Sequence, residues 1–240
     1  MSLSDVVKCE MKDHEFCKKY PSSDLRTSSL LVVYPLQTAI FVREGQVCDM
    51  FGAGTYSLNA DHLTTLDRLI GLPSAPDSPF QADIWFINHA SKLNTKWDTT
   101  RSIPLKDPKY GIVVPVRVCG QYGIRVVDAM PFMQTLNDNL TDFSAYKVAE
   151  FFKALMLSNL PEALGRSIVQ NQLSILDIDQ YPADISAFCR EEIDRTFQEY
   201  GIQLSEFAIT SVSTPNDDPS VIKLMDAKDL TEQKKPVPAC

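Results

Sequence analysis

Apolar and polar positions change rhythm about halfway along the chain. From Ser29 to about Val127 the pattern is that of strands. LLVVYPLQTAIFV, a turn at Arg43-Glu44-Gly45 and QVCDMF read as a hairpin, because two apolar runs flank a short turn containing glycine. GAGTYSLN follows as a tight connection in which Gly52 and Gly54 are free to take positive φ, and Tyr56 and Leu58 then alternate as a short strand. Leu63 to Leu72 predicts a short helical connection ending in the breaker-rich GLPSAPDSP. FQADIWFINH and KLNTKWDT predict a second hairpin, with Trp85 and Trp97 on its apolar faces. The longest β-like stretch is IVVPVRVCGQYGIRVV, Ile112 to Val127. Its Gly120 and Gly123 predict a bulge or bend in a strongly curved strand, and Pro115 predicts an edge position or a local disruption.

After Asp128 the spacing becomes helical. Val148, Phe151, Phe152, Leu155 and Met156 share a helix face in Ala145 to Leu160, and Pro161 opens a further helical segment, PEALGRSIVQNQ. LSILDIDQY leads to Pro182. From there Ile185, Phe188, Cys189, Ile193, Phe197 and Tyr200 form one stripe, with Arg190, Glu191, Asp194, Arg195 and Glu199 opposite. Pro182 suits the first turn of this helix and Gly201 its stop. IQLSEFAITSVSTP reads as a closing strand, and the tail carries a short helical segment before a Pro-rich end. Residues 1–26 are expected to form an arm and 27–215 the domain, divided into a β-rich part, 27–127, and a helical part with the closing strand, 128–215. Residues 216–240 are expected to be a tail or linker. Strands, then helices, then a final strand predict an α+β fold: a curved, mostly antiparallel sheet with helices packed on one side.

Composition narrows the function. With 240 residues, 44% of them hydrophobic, the chain is able to bury a substantial core. A formal net charge of -8, with Lys and Arg dispersed among Asp and Glu, argues against nucleic acid, which needs clustered cations to displace counterions. Attachment to anionic lipid by charge alone is disfavoured for the same reason. The six cysteines form no CxxC pair and read as reduced thiols of a cytoplasmic protein. The N-terminus lacks the basic start and apolar run of a secretion signal, and Met-Ser does not suit myristoylation. No window approaches the roughly 20 apolar residues of a membrane-spanning helix.

Candidate chemistry is sparse. His14, His62 and His89 are scattered, with neither a GxSxG nor an HExxH pattern near them, and read as structural. Cys9, His14 and Cys17 have irregular spacing and no second half of a zinc site. GAGTY lacks the following helix and the lysine of a phosphate loop, so it reads as a turn. Glu191, Glu192 and Asp194 read as a solvent face, and Phe151, Phe152, Phe188 and Phe197 as core. Cys240 reads as a tail residue or, if a C-terminal ribbon follows, as a first zinc ligand. No catalytic, cofactor-binding or metal residue is otherwise expected.

The run from YPSSDLRTSSLLVVYPLQTAIFVREGQVCDMFGAGTYSLNADHLTTL resembles the opening of SPFH (stomatin/prohibitin/flotillin, Band 7, prohibitin-homology) domains. It is most similar to a soluble bacterial branch sometimes labelled virion core protein-like, in which SPFQADIWFIN, KWDT, IPLKDPKYGIVVPVRVCGQYGIRV and FQEYGIQLSEFAITSVSTP follow. The likeness spans roughly residues 20 to 215, and Gly45, Gly52, Gly54, Tyr56, Trp85, Trp97, Gly120 and Gly123 are its structural motif positions. It implies a non-enzymatic scaffold that forms homo-oligomers and organises other proteins at the inner, cytoplasmic face of a membrane, without a cofactor. Many members carry an N-terminal hydrophobic hairpin and a long coiled coil. This chain shows neither, so peripheral or indirect membrane contact is expected. The alternative is a small-molecule or peptide-binding module with a groove near Trp85 and Trp97.

Overall fold

A computed structural model describes residues 5–12, 15–58, 78–90, 93–139 and 144–233. The predicted connection at Leu63 to Leu72, and the positions of His14, His62 and Cys240, lie outside the described residues. The strands are β1 (Val6–Val7), β2 (Cys17–Lys19), β3 (Asp24–Arg26), β4 (Leu30–Val33), β5 (Gln37–Arg43), β6 (Gln46–Phe51), β7 (Gly54–Ser57), β8 (Pro79–Gln81), β9 (Asp83–Asn88), β10 (Leu93–Asp98), β11 (Ile103–Lys106), β12 (Val113–Val126) and β13 (Ile202–Ser213). The helices are α1 (Ala129–Asn139), α2 (Ala145–Gln170), α3 (Pro182–Gln198) and α4 (Pro219–Gln233), with a 3-10 helix at Ile175–Gln180. The class is α+β. Among the described residues the strands fall into four sheets, and β1 runs parallel to β4 while the other registered pairs are antiparallel.

The chain divides into two compact units. The first comprises residues 1–93, 124–150 and 197–203, and the second residues 94–123, 151–196 and 204–240.

In the first unit the main sheet has the order β2-β9-β5-β6. β5 does not alternate: Ala39, Ile40, Phe41 and Val42 are all buried, which is why its sequence reads as a continuous apolar run. The predicted hairpin of β5 and β6 is present, with Arg43 opposite Gln46. Glu44 and Gly45 take φ of 52° and 79°, the pair of positive values that a two-residue turn matched to strand twist requires. LLVV is separate from this hairpin. A turn at Tyr34 to Gln37, with Leu36 at φ 62°, ends β4, which pairs with β1 and β7 instead. Residues 5–26 contribute β1, β2 and β3 to three ladders, and Val7, Phe16 and Leu25 are buried. α1 lay unrecognised in the sequence. Asp128 caps it by accepting the Met130 N–H at 3.0 Å, and Ala129, Phe132, Met133 and Leu136 form its buried face.

The expected second hairpin is absent. β9 pairs with β2 and β5, whereas β10 pairs with β12. Two adjacent apolar runs specify two strands but not their partners, and each of these strands finds a longer complementary neighbour elsewhere.

In the second unit β12 lies among β10, β11 and β13. Pro115 therefore does not mark an edge strand. It faces Pro104 across the β11–β12 ladder, so neither residue of that rung has an N–H to donate, and the flanking pairs Ile103–Val116 and Leu105–Val114 continue the register. Pro161 does not start a new helix either: α2 runs through it as one element. Its apolar face, including Phe152, Met156, Leu160, Leu164 and Ile168, is buried. Burial of that face offsets the roughly 3 kcal/mol that an interior proline costs. α3 buries Ile185, Cys189 and Ile193 at four-residue spacing, as its stripe predicts.

Candidate functional site

The motif positions serve the fold. Gly45 occupies the hairpin turn. Gly52 stays out of positive φ, contrary to expectation, and has open space around it. A Cβ on Gly54 would lie 3.0–3.2 Å from the phenol of Tyr56, whose ring sits 5.0 Å from Phe51. The glycine makes room for that ring. Trp85 is half-buried on β9, opposite Ile40, with the Lys19 ammonium 6.0 Å from its ring. Trp97 is buried on β10 and stacks on Phe207 at 5.6 Å and 18°. A Cβ on Gly120 would approach the Ala208 carbonyl oxygen to 2.0 Å and the Trp97 ring to 2.8 Å, so only glycine fits there. Gly123 is buried in the same strand. Trp85 and Trp97 belong to different units and different sheets.

The carboxylates are also invested in structure. Asp107 is fully buried and gave no signal in the sequence beyond a lone acid in KDPKY. Its Oδ1 accepts the N–H groups of Lys109 at 2.8 Å and Tyr110 at 3.0 Å. Its Oδ2 accepts the Ser174 hydroxyl at 2.7 Å and the Ile175 N–H at 2.8 Å. One carboxylate thus satisfies the turn after β11 and the start of the 3-10 helix, whose cap is Ser174. Asp177 pairs with Lys228 of α4 at 2.9 Å and Lys109 at 3.6 Å, and the hydrogen bond from Lys228 holds its carboxyl below the usual range.

The acidic face of α3 is a correction. Asp194 and Glu192 are half-buried rather than solvated. Asp194 accepts the Leu204 N–H at 2.7 Å, Arg190 donates to the Leu204 carbonyl at 3.0 Å, and Ser186 accepts the Ile209 N–H at 2.9 Å. These side chains satisfy backbone groups of β13 that would otherwise lie open along the strand. Glu192 bridges Arg166 and Arg195. Phe151 and Phe188 are half-buried, whereas Phe152 and Phe197 are fully enclosed.

Three of the described thiols are poorly suited to nucleophilic or metal chemistry. Burial pushes Cys17 and Cys189 up to about 12 and raises Cys9. A thiolate is the reactive form, and desolvation opposes it. His89 is held by two bonds: its Nδ1–H donates to the Val126 carbonyl at 3.0 Å, and its Nε2 accepts the Thr38 hydroxyl at 2.8 Å.

Concave surface is found in the second unit. An opening of about 400 Å³ lies over Gly120, bordered by Lys96, Asp98, Cys119, Gln121 and Thr210. A groove of about 270 Å³ runs between the Thr99 to Pro104 segment and Leu157 and Pro161 of α2. A third, about 240 Å³, lies beside the Arg166–Glu192–Arg195 cluster. The first and third are bordered mainly by polar side chains and the second mainly by hydrocarbon, and all three are open recesses rather than enclosed chambers. Among the described residues no helix is long and apolar enough to cross a membrane.

Comparison with known proteins matches the fold. The chain is 23% identical over 217 residues to the uncharacterized protein YdjI of Bacillus subtilis (strain 168), an alignment covering 90% of this chain and 66% of YdjI. The chain therefore spans just under two thirds of that relative's length. Residues 17–230 match the profile of the SPFH domain-Band 7 family, described as such. With β2 through most of α4 inside that match, the chain belongs to the SPFH domain-Band 7 family.

Proposed function

We propose that this chain is a non-enzymatic scaffold domain that self-associates and organises partner proteins at the cytoplasmic face of a membrane, touching the membrane peripherally or through a partner. The observation that carries the reading is the family match across residues 17–230. The use of polar groups supports it: Asp107, Asp194, Glu192 and His89 are each committed to holding backbone or neighbouring side chains. A protein that tethers others needs a stable surface more than a group with a perturbed titration in a cleft.

The test is fractionation with crosslinking of the intact protein in cells. Recovery partly with membranes, without detergent being needed for solubility, and crosslinked species at multiples of the chain mass are the expected results. A protein that remains wholly in the soluble fraction and never crosslinks to itself or to others would overturn the proposal.

A second reading, a small-molecule or peptide-binding module, is favoured by the recesses of the second unit. A ligand that binds the native state raises apparent stability, so a thermal-shift screen separates the two readings.

A further inference from the structure

Of the three recesses, the one between the β10–β11 connection and α2 combines features that select an occupant. Its walls are largely hydrocarbon, contributed by Ile103, Pro104, Leu157 and Pro161. The same short segment brings a cation and hydroxyls to its rim. Arg101 is exposed and has no ion pair among the described residues, whereas Arg43, Arg166 and Arg195 each have a glutamate partner. Thr99 Oγ1 already accepts the Val118 N–H at 3.0 Å, which leaves its proton to donate. Thr100 and Ser102, the sequence neighbours of Arg101, also line the groove. Pro161 supplies the last element. It has no N–H, so the carbonyl of Leu157, a residue that lines the groove, lacks the donor that a helix residue four positions on would provide.

We infer that this groove docks a short extended segment of a partner protein, with an apolar side chain seated between Ile103 and Leu157 and an adjacent carboxylate held by Arg101. The inference rests on the reading of the chain as a protein that holds partners. Each part of such a segment meets a complementary group: the carboxylate pairs with the guanidinium and the threonine hydroxyls, and a main-chain N–H donates to the Leu157 carbonyl. A fatty acid would satisfy the cation and the apolar wall but brings no N–H. A nucleic acid strand would meet a single arginine on a chain of net charge -8. A volume of about 270 Å³ suits one or two side chains rather than a folded element.

The probe is a fluorescein-labelled peptide, Gly-Ser-Gly-Ile-Leu-Glu, measured by fluorescence anisotropy against the full chain. Its control ends in Gln amide, and decanoate serves as a competitor. Saturable binding of the acidic peptide, at least about tenfold tighter than the control, is expected. Arg101→Glu should weaken it at least about tenfold, Arg101→Lys should retain part of it, and Pro161→Ala, which restores a donor to Leu157, should weaken it without loss of the fold. Absence of binding, equal binding of the two peptides, indifference to Arg101→Glu, or displacement by decanoate with equal or higher affinity would each overturn the inference. Crosslinking of the Arg101→Glu protein to itself and recovery with membranes separate the outcomes. If these persist while peptide binding fails, the groove assignment falls and the scaffold reading stands.

Discussion

The hydroxyl of Ser174 donates to the buried carboxylate of Asp107 at 2.7 Å, joining residues 67 positions apart. Asp107 also accepts three backbone N–H groups, from Lys109, Tyr110 and Ile175. Replacing it with Ala leaves the Ser174 hydroxyl and the Ile175 N–H buried and unpaired, and takes the acceptor from the half-buried turn at Lys109 and Tyr110. Asp107→Ala should lower stability by about 3 kcal/mol and the melting temperature by about 6–12 °C. Asp107→Asn, which keeps one acceptor oxygen, should lose less. Urea unfolding of the two variants checks this, and equal stabilities of Asp107→Ala and the parent would refute it.

The glycines divide by their surroundings. A Cβ at Gly201 would meet the Asp128 carbonyl oxygen at 2.1 Å with φ at 68°, and at Gly120 the Ala208 carbonyl oxygen at 2.0 Å. Both contacts are with backbone, which cannot swing aside. Gly120→Ala and Gly201→Ala should each cost about 3 kcal/mol or more. Gly45→Ala has positive φ but open space, so it should cost only about 1–2 kcal/mol. Thermal melts of the three variants should rank in that order.

Acid should release α4 through Asp177. The folded-state carboxyl titrates below its ordinary 3.8, so its contribution is fully present above that value and is lost as pH falls through the lower folded-state value. Asp177→Asn should therefore flatten the dependence of melting temperature on pH below about 4. An unchanged acid limb would show that the Lys228 pair is screened by solvent.

Thiol labelling should follow burial. Cys17 and Cys189, both pushed up to about 12, should alkylate with iodoacetamide at pH 8 at least about tenfold more slowly than the half-exposed Cys119 in the native protein. Peptide-resolved mass spectrometry reads each site separately, and equal rates would contradict the buried placements.

Elements with strong local signals were legible in the chain. The β5–β6 hairpin followed from two apolar runs about Glu44-Gly45, and α3 from its four-residue stripe. α1 was missed because Pro131 and the mixed polarity of MPFMQTLNDN obscure a helix that Asp128 caps. The reading of Pro161 as a boundary failed because burial of the helix face outweighs the missing hydrogen bond. Among the site residues, the motif glycines were recognised in sequence, but why Gly120 must be glycine depends on Trp97 and Ala208, which only folding brings there. Arg101 carried no sequence signal at all, since its distinction is the absence of an ion-pair partner among the described residues.

Family membership, the α+β order of elements and the scarcity of reactive groups were properties of the sequence alone, because local periodicity and residue type are written in consecutive positions. The tertiary structure alone decided which strand pairs with which, the burial of Asp107, the turning of Asp194 toward β13, and the assembly of Arg101 with Leu157 and Pro161. Those depend on residues tens of positions apart, whose meeting is governed by packing and backbone satisfaction rather than by local preference.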